Sequence, residues 1–182
     1  MIVIMAGLPG TGKSTLARAL ARRLSGAVLD KDVIRAALFE PAHVEYSLAQ
    51  DDFCQEIMLQ TAAYLLAQNA ALHVLLDGRT FSRAYQRERA IEFCSRLGGS
   101  WAILECVCAE QTALERLAKA VAQHTHLAQN RTPELYLQIR EAWEPIGSPK
   151  LVIDTDVSLD SCVDQALRYL TRRNDDTGNE IA

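Results

Sequence analysis

The chain has 182 residues, of which 49% are hydrophobic, and a formal net charge of -4. This length suits one α/β domain, and the hydrophobic fraction is sufficient for a buried core. The acidic balance makes a nucleic-acid partner unlikely in this interpretation, because nucleic-acid binders more often carry a basic excess. With no signal sequence and no apolar run long enough to span a bilayer, we expect a cytoplasmic protein without membrane contact.

Short apolar runs alternate along the chain with longer segments of helical periodicity. Strands are predicted at residues 2–6, 27–30, 72–77, 101–108 and 151–154. Helices are predicted at residues 13–24, 31–39, 51–69, 82–97, 110–121, 133–143 and 159–172. The strands barely alternate between polar and apolar residues, which is typical of strands covered on both faces. The pattern predicts an α/β fold with a parallel sheet and helices on both faces.

The first predicted strand runs into a glycine-rich segment, Gly7-Leu8-Pro9-Gly10-Thr11-Gly12-Lys13-Ser14. It matches the pattern GxxxxGK[ST], in which backbone N–H groups surround the phosphates of a nucleotide at the start of a helix. We therefore expect residues 7–15, up to Thr15, to bind a nucleoside triphosphate. Lys13 would reach the β- and γ-phosphates, and the Ser14 hydroxyl would bind Mg²⁺.

Polar groups follow the second predicted strand, where Asp30, Asp32 and Arg35 begin a helix. The carboxyl ends of neighbouring parallel strands line one crevice, so these residues would face the glycine loop. A carboxylate beside an acceptor hydroxyl can orient it and take its proton, and an arginine can bind the acceptor. The alternative is an Asp helix cap with a surface salt bridge.

The third predicted strand ends in Asp77, and Arg79 follows two residues later. An apolar strand that ends in an acid commonly holds Mg²⁺ in nucleotide-binding proteins, often through bound water. A helix cap or turn is the alternative for Asp77. For Arg79, contact with the substrate and structural pairing are about equally favoured.

With these three strand ends, the chain resembles P-loop kinases that phosphorylate small-molecule hydroxyls. The nearest pattern is the broad "predicted kinase" group, related to adenylylsulfate kinase, chloramphenicol phosphotransferase, zeta toxin and the polynucleotide 5′-kinase domain. The segments that carry the resemblance are GLPGTGKST, LDKDVIRAAL, VLLDGRTF, LERLAKA and LVIDTD. It implies a P-loop kinase fold with strand order 2-3-1-4-5 in one domain at residues 1–173, with a lid at about 117–133. The polar composition of residues 174–182 predicts a flexible tail.

The resemblance also assigns roles to individual residues. Asp32 becomes the general base, Arg35 an acceptor-side arginine, and Asp30 a partner of Mg²⁺ through its waters. Arg116 matches an arginine that packs on the adenine ring, but Lys119 stands where a second lid arginine is common. A polar segment, residues 122–132, follows the predicted helix of these two residues. Lysine lacks the planar fork of arginine, so Arg131 in the polar segment is a candidate to take its place. The expected catalytic set is Lys13, Asp32, Arg35, Arg79, Arg116 and Arg131.

The leading hypothesis is therefore an ATP-dependent kinase that uses Mg²⁺ and phosphorylates a hydroxyl of a small molecule. One alternative is a nucleic-acid 5′-hydroxyl kinase, which the acidic charge disfavours. Another is a nucleotide-hydrolysing switch, which needs ordered switch loops and a residue that positions water. His124 and His126 in the polar segment lack partners at metal-ligand spacing, so we expect them to be solvent-exposed loop residues.

Overall fold

The structure is a computed structural model that describes residues 1–123, 130–147 and 149–178, with side chains described up to residue 173. Residues 124–129 of the predicted lid, which include the predicted loop residues His124 and His126, and residues 179–182 of the predicted tail lie outside the described residues. Within the described part, no helix is long and apolar enough to cross a membrane.

Five parallel strands form one sheet in the order β2-β3-β1-β4-β5. The strands are β1 (Ile2–Ala6), β2 (Ala27–Asp30), β3 (Val74–Asp77), β4 (Trp101–Val107) and β5 (Leu151–Asp154). The predicted parallel α/β fold and its strand order are therefore confirmed. β3 begins two residues later than predicted, and β4 ends one residue earlier.

Each predicted helix is present. The helices are α1 (Lys13–Leu24), α2 (Lys31–Leu38), α3 (Leu48–Gln68), α4 (Ala84–Arg96), α5 (Glu110–Ala122), α6 (Pro133–Glu141) and α7 (Leu159–Gly178). α3 begins three residues before its predicted start because the Ser47 side chain accepts a hydrogen bond from the backbone N–H of Gln50 and caps the helix. α7 continues six residues beyond its predicted end.

The core has two layers, one on each face of the sheet. Val3 and Met5 of β1 pack in the layer that contains buried residues of α1 and α7. Ile2 and Ile4 of the same strand point to the other face, where the layer contains buried residues of α3 and α4. Successive side chains of a strand point to opposite faces, so burial on both sides accounts for the unbroken apolar sequence of β1.

Candidate nucleotide and acceptor site

The carboxyl ends of β1, β2 and β3 meet at one edge of the sheet. β3 lies between the other two strands, and Asp30 at the end of β2 is the register partner of Asp77 at the end of β3. The glycine loop leaves β1 at the same edge and leads into α1. The parallel topology thus brings together the three sequence segments that carry the predicted site.

The backbone of the loop needs glycine. Gly7, Gly10 and Gly12 have φ angles of +137°, +79° and +80°, which side-chain-bearing residues rarely adopt. A Cβ atom at Gly7 would lie 2.3 Å from the carbonyl oxygen of Cys106, and one at Gly10 would lie 2.5 Å from that of Ala113. A 3.0 Å hydrogen bond from the Gly7 N–H to the Thr80 carbonyl joins the start of the glycine loop to the segment that follows β3.

Lys13 is buried inside the loop that precedes it. Its ammonium group donates hydrogen bonds to the carbonyl oxygens of Gly7 at 2.8 Å and Leu8 at 2.6 Å. Burial, followed by the charge of Arg131, lowers the pKa of Lys13 to about 8. The lysine is thus a desolvated cation enclosed by the backbone of the loop.

Asp77 is fully buried, and neither of its carboxylate oxygens has a hydrogen-bond partner among the described residues. Beside it, Asp30 accepts a 2.9 Å hydrogen bond from the backbone N–H of Asp32. Burial, and then the nearby charge of Asp77, raise the pKa of Asp30. A buried carboxylate without a partner is costly, and oxygen ligands suit Mg²⁺, so this pair of strand ends fits a divalent cation.

Within the described residues, no three His, Cys, Asp or Glu side chains come together as a metal site. The two carboxylates at the ends of β2 and β3 therefore remain a partial set of ligands. Ser14, the predicted hydroxyl ligand, lies in the first turn of α1 and is partly buried.

Asp32 lies at the centre of a buried cluster of charges. One of its carboxylate oxygens lies 3.0 Å from Arg35 Nη1 and 3.4 Å from Lys31 Nζ, and the other lies 2.7 Å from Arg131 Nη2. Burial alone would raise the pKa of Asp32, but the charges of Lys31, Arg131 and Arg35 outweigh it and hold the pKa below its usual value. The helix cap of α2 is formed by Asp30, so Asp32 is neither a cap nor a surface residue.

Asp51 and Lys31 complete this cluster and were not predicted as site residues. Asp51 Oδ1 accepts hydrogen bonds from Lys31 Nζ at 2.8 Å and from Arg35 Nη2. Asp51 lies in the first turn of α3, where an acidic residue is common for helix stability alone, so its sequence context gave no functional signal. Lys31 stands between two residues that were predicted, and its role follows only from the geometry.

Arg79 is 3% exposed and makes several contacts with α3. Its guanidinium donates to the Gln55 side-chain oxygen at 2.5 Å and to the Asp51 carbonyl at 3.3 Å, and it pairs with Asp52. Its Nε is buried and has no hydrogen-bond partner among the described residues. Arg79 thus has the structural pairing considered from the sequence, and it also borders the cavity described next.

A cavity of about 170 Å³ lies between the glycine loop, α2, the loop after β3, and Arg131. Charged groups on its wall come from both sides of the site. They are Lys13, Lys31, Asp32, Asp51, Arg79 and Arg131. The structure therefore brings five of the six expected catalytic residues to one place, four on the cavity wall and Arg35 directly behind Asp32.

Arg116 lies at a second cavity, of about 270 Å³, which it borders together with Thr15, Thr155 and apolar residues of the segment from Val157 to Cys162. Its guanidinium donates to the Thr155 hydroxyl at 3.0 Å and to the Thr155 carbonyl at 2.9 Å. The Thr155 hydroxyl in turn donates to the Thr11 carbonyl at 3.1 Å. Arg116 is therefore outside the charge cluster around Asp32, and Lys119, on the same helix, is exposed.

The sheet order, the glycine loop and the adjoining acidic strand ends define a protein of the P-loop class with the fold of the P-loop kinases. A family model described as an AAA domain matches residues 2–146, and the chain belongs to this family. No protein of curated function matches the chain in sequence.

Solved structures share this fold at low sequence identity. An adenylylsulfate (APS) kinase from Mycobacterium tuberculosis, in complex with AMPPNP and APS, is 22% identical with a TM-score of 0.66, over 93% of this chain and 96% of its own. A gluconokinase from Sinorhizobium meliloti is 19% identical with a TM-score of 0.65, and the match covers 94% of this chain and 91% of the gluconokinase. Kti12 from Chaetomium thermophilum, in complex with ADP-AlF3, is 14% identical with a TM-score of 0.71, and the match covers 95% of this chain and 98% of Kti12.

Proposed function

We propose that this protein transfers the γ-phosphate of ATP to a hydroxyl group of a small molecule. The observation that carries the proposal is the common cavity of Lys13, from the phosphate loop, and Asp32, from the start of α2. A phosphate held by the loop and a hydroxyl held by Asp32 would share this space. Phosphoryl transfer depends mainly on such positioning and on neutralisation of charge.

The nucleotide would lie along the glycine loop. The backbone N–H groups of the loop and the start of α1 would bind its phosphates, and the ammonium of Lys13 would turn from the loop carbonyls to the β- and γ-phosphates. The second cavity, with Thr15 and Arg116 on its wall, would take the base. Ser14 and Asp77 would hold Mg²⁺, with Asp30 acting through water, and this ion when bound neutralises charge on the phosphate oxygens.

Asp32 would orient the acceptor. Because neighbouring cations hold its pKa below the usual value, Asp32 is a carboxylate at neutral pH and can accept a hydrogen bond from a hydroxyl group. Such a weak base does not ionise the hydroxyl in advance. It takes the proton late, as the bond to phosphorus forms, which suits the loose transition state of phosphoryl transfer.

Arg131 links the acceptor carboxylate to the segment predicted as the lid. Its contact with Asp32 joins residues that are 99 positions apart in the chain. We propose that residues 117–133 act as a lid on one domain formed by residues 1–173, and that Arg131 moves from Asp32 to the γ-phosphate when nucleotide and acceptor are bound. A closed lid excludes water and favours transfer over hydrolysis.

The substitution Asp32→Asn tests this assignment because it keeps the size of the side chain and removes the acceptor of the proton. We expect kcat on an acceptor substrate to fall about a hundredfold, whereas the Kd for ATP changes only slightly. Asp164→Asn, an exposed position on α7, is the matched control and should leave both quantities unchanged. Turnover by Asp32→Asn close to that of the unaltered protein would refute the role of Asp32.

A further inference from the structure

The wall of the acceptor cavity is positive although the whole chain is acidic. Four cations, Lys13, Lys31, Arg79 and Arg131, line the cavity together with two carboxylates, Asp32 and Asp51, whereas the chain has a net charge of -4. In the proposed function Lys13 and Arg131 belong to the phosphates of the nucleotide, which leaves Lys31 and Arg79 on the acceptor side, beside the carboxylates of Asp32 and Asp51. The acceptor side therefore presents two cations next to the carboxylate that would hold the hydroxyl group, and a cation with an unused N–H group can bind an anionic group of a ligand.

Lys31 and Arg79 lie together on one wall of this cavity. Both contact Asp51: Lys31 Nζ binds its side chain at 2.8 Å, and Arg79 Nη1 binds its carbonyl at 3.3 Å. The ammonium of Lys31 has three N–H groups, and the carboxylates of Asp32 and Asp51 are its two partners. Arg79 retains a buried Nε without a hydrogen-bond partner among the described residues. The Lys31 ammonium on this wall therefore keeps one N–H group that its protein partners do not use, whereas the Arg79 Nε lies beneath the surface of the cavity.

The remaining lining combines apolar side chains, among them Leu48, Leu135 and Ile139, with polar ones. Thr80, Ser82, Gln86 and Asn130 provide hydroxyl and amide groups that can bind further hydroxyls of an acceptor. The cavity, at about 170 Å³, is smaller than the roughly 300–1,000 Å³ of sites for drug-sized ligands.

We propose that the acceptor is a small anionic hydroxy compound, with its carboxylate or phosphate group bound by Lys31 and Arg79 and its reacting hydroxyl at Asp32. This inference rests on the proposed function and narrows its substrate class. The spacing of the two groups in the ligand would be short, because Lys31 Nζ is only 3.4 Å from the Asp32 carboxylate. Transfer forms the bond from the acceptor oxygen to γ-phosphorus and breaks the bond from that phosphorus to ADP, and the hydroxyl proton passes to Asp32.

A panel of paired compounds tests the proposal. Hydroxy acids and sugar acids are compared with the corresponding neutral polyols, and sugar monophosphates with the free sugars. Binding is measured as a shift of Tm in the presence of Mg²⁺ and a non-hydrolysable ATP analogue, and transfer as formation of ADP. We expect at least one anionic series to raise Tm and to exceed its neutral counterpart in kcat/KM about tenfold or more. The carboxylate and phosphate arms show which anion the site takes.

Variants of Lys31 test the position of the anionic group. Lys31→Gln should raise the KM for the preferred anion about tenfold and leave the KM for ATP nearly unchanged, because it removes one charge-assisted hydrogen bond from the acceptor side. Lys31→Arg keeps the charge and should retain most of the affinity. Arg22→Gln removes an exposed charge from the last turn of α1, at the opposite edge of the sheet, and should change neither KM.

The outcomes separate this inference from the proposed function. Two results would overturn the anionic acceptor and leave the kinase proposal standing. One is that neutral polyols are phosphorylated as efficiently as the corresponding anions, and the other is that Lys31→Gln leaves the KM for the preferred anion unchanged. Hydrolysis of ATP without transfer to any compound would overturn the kinase proposal. The shift of Tm with each compound would then show separately whether this cavity binds anions.

Discussion

At the scale of single residues, the most informative group is Lys13. A lysine ammonium in water gains nothing from burial, yet here it is 4% exposed and hydrogen-bonded to two carbonyl oxygens of its own loop. Neutral carbonyls offset only part of the cost of desolvation, which is why burial lowers its pKa to about 8. The phosphates of a nucleotide would offset the rest, so the site is built for a charge that the ligand brings.

This lowered pKa predicts a pH dependence of nucleotide binding. Free Lys13 loses its proton above about pH 8, whereas bound phosphates would favour the charged form and raise its pKa. Binding then requires uptake of a proton above pH 8. The affinity for ATP should fall only about twofold between pH 7 and 8, and by up to about tenfold per pH unit above that. The phosphates of ATP are already ionised in this range and do not obscure the effect.

The Kd for a fluorescent ATP analogue, measured between pH 7 and 9.5 with Mg²⁺ present, checks this expectation. Lys13→Met serves as the control, since its residual binding should not depend on pH in this window. A Kd of the unaltered protein that stays constant up to pH 9.5 would contradict the burial of an ionisable Lys13 in the free protein.

At the scale of elements, Thr155 connects the end of β5 to both the glycine loop and α5. Its hydroxyl donates to the Thr11 carbonyl and accepts from Arg116, and its own carbonyl accepts a second bond from Arg116. A Cβ atom at Gly12 would lie 3.3 Å from this hydroxyl, so the loop and Thr155 are in close contact. One side chain therefore fixes the glycine loop relative to the helix that carries Arg116.

Thr155→Val should loosen this connection while keeping the shape of the side chain. We expect the KM for ATP to rise about threefold to tenfold and the free energy of unfolding to fall by about 1 kcal/mol, because two hydrogen bonds lose their common partner. Thr155→Ser retains the hydroxyl and should behave like the unaltered protein. Steady-state kinetics and urea denaturation measure the two quantities, and equal KM values in Val and Ser variants would refute the role of the hydroxyl.

The sequence predicted the elements well because their signals are local. Unbroken apolar runs indicated the buried strands, and the glycine loop predicted both a backbone conformation and a ligand. The charge cluster was predictable only in part, since Asp32 and Arg35 share one helix, while Asp51 comes from another and meets them through packing. The contact of Arg131 with Asp32 spans 99 residues, and no local pattern encodes such a distance.

At the scale of the whole molecule, the order of the strands determines the spacing of the site. β3 lies between β1 and β2, so the glycine loop after β1 and the segment with Asp32 after β2 leave the sheet roughly 10 Å apart, twice the distance between neighbouring strands. The buried Asp77 lies at the end of the strand between them. In the proposed function, this separation would leave space for phosphates and a metal ion between donor and acceptor, which two adjacent strands would not provide.

The central claim is transfer of phosphate to a small hydroxyl compound, and the fate of the γ-phosphate tests it most directly. The protein is incubated with Mg²⁺ and ATP labelled at the γ-phosphate, with mixtures of small hydroxyl compounds and, separately, a single-stranded oligonucleotide with a free 5′-hydroxyl. We predict that the label enters a small organic phosphate ester and that release of ADP depends on that compound. Two results would contradict the claim. In one, the label appears only in inorganic phosphate, at a rate that no acceptor affects; in the other, the label is transferred to the oligonucleotide alone.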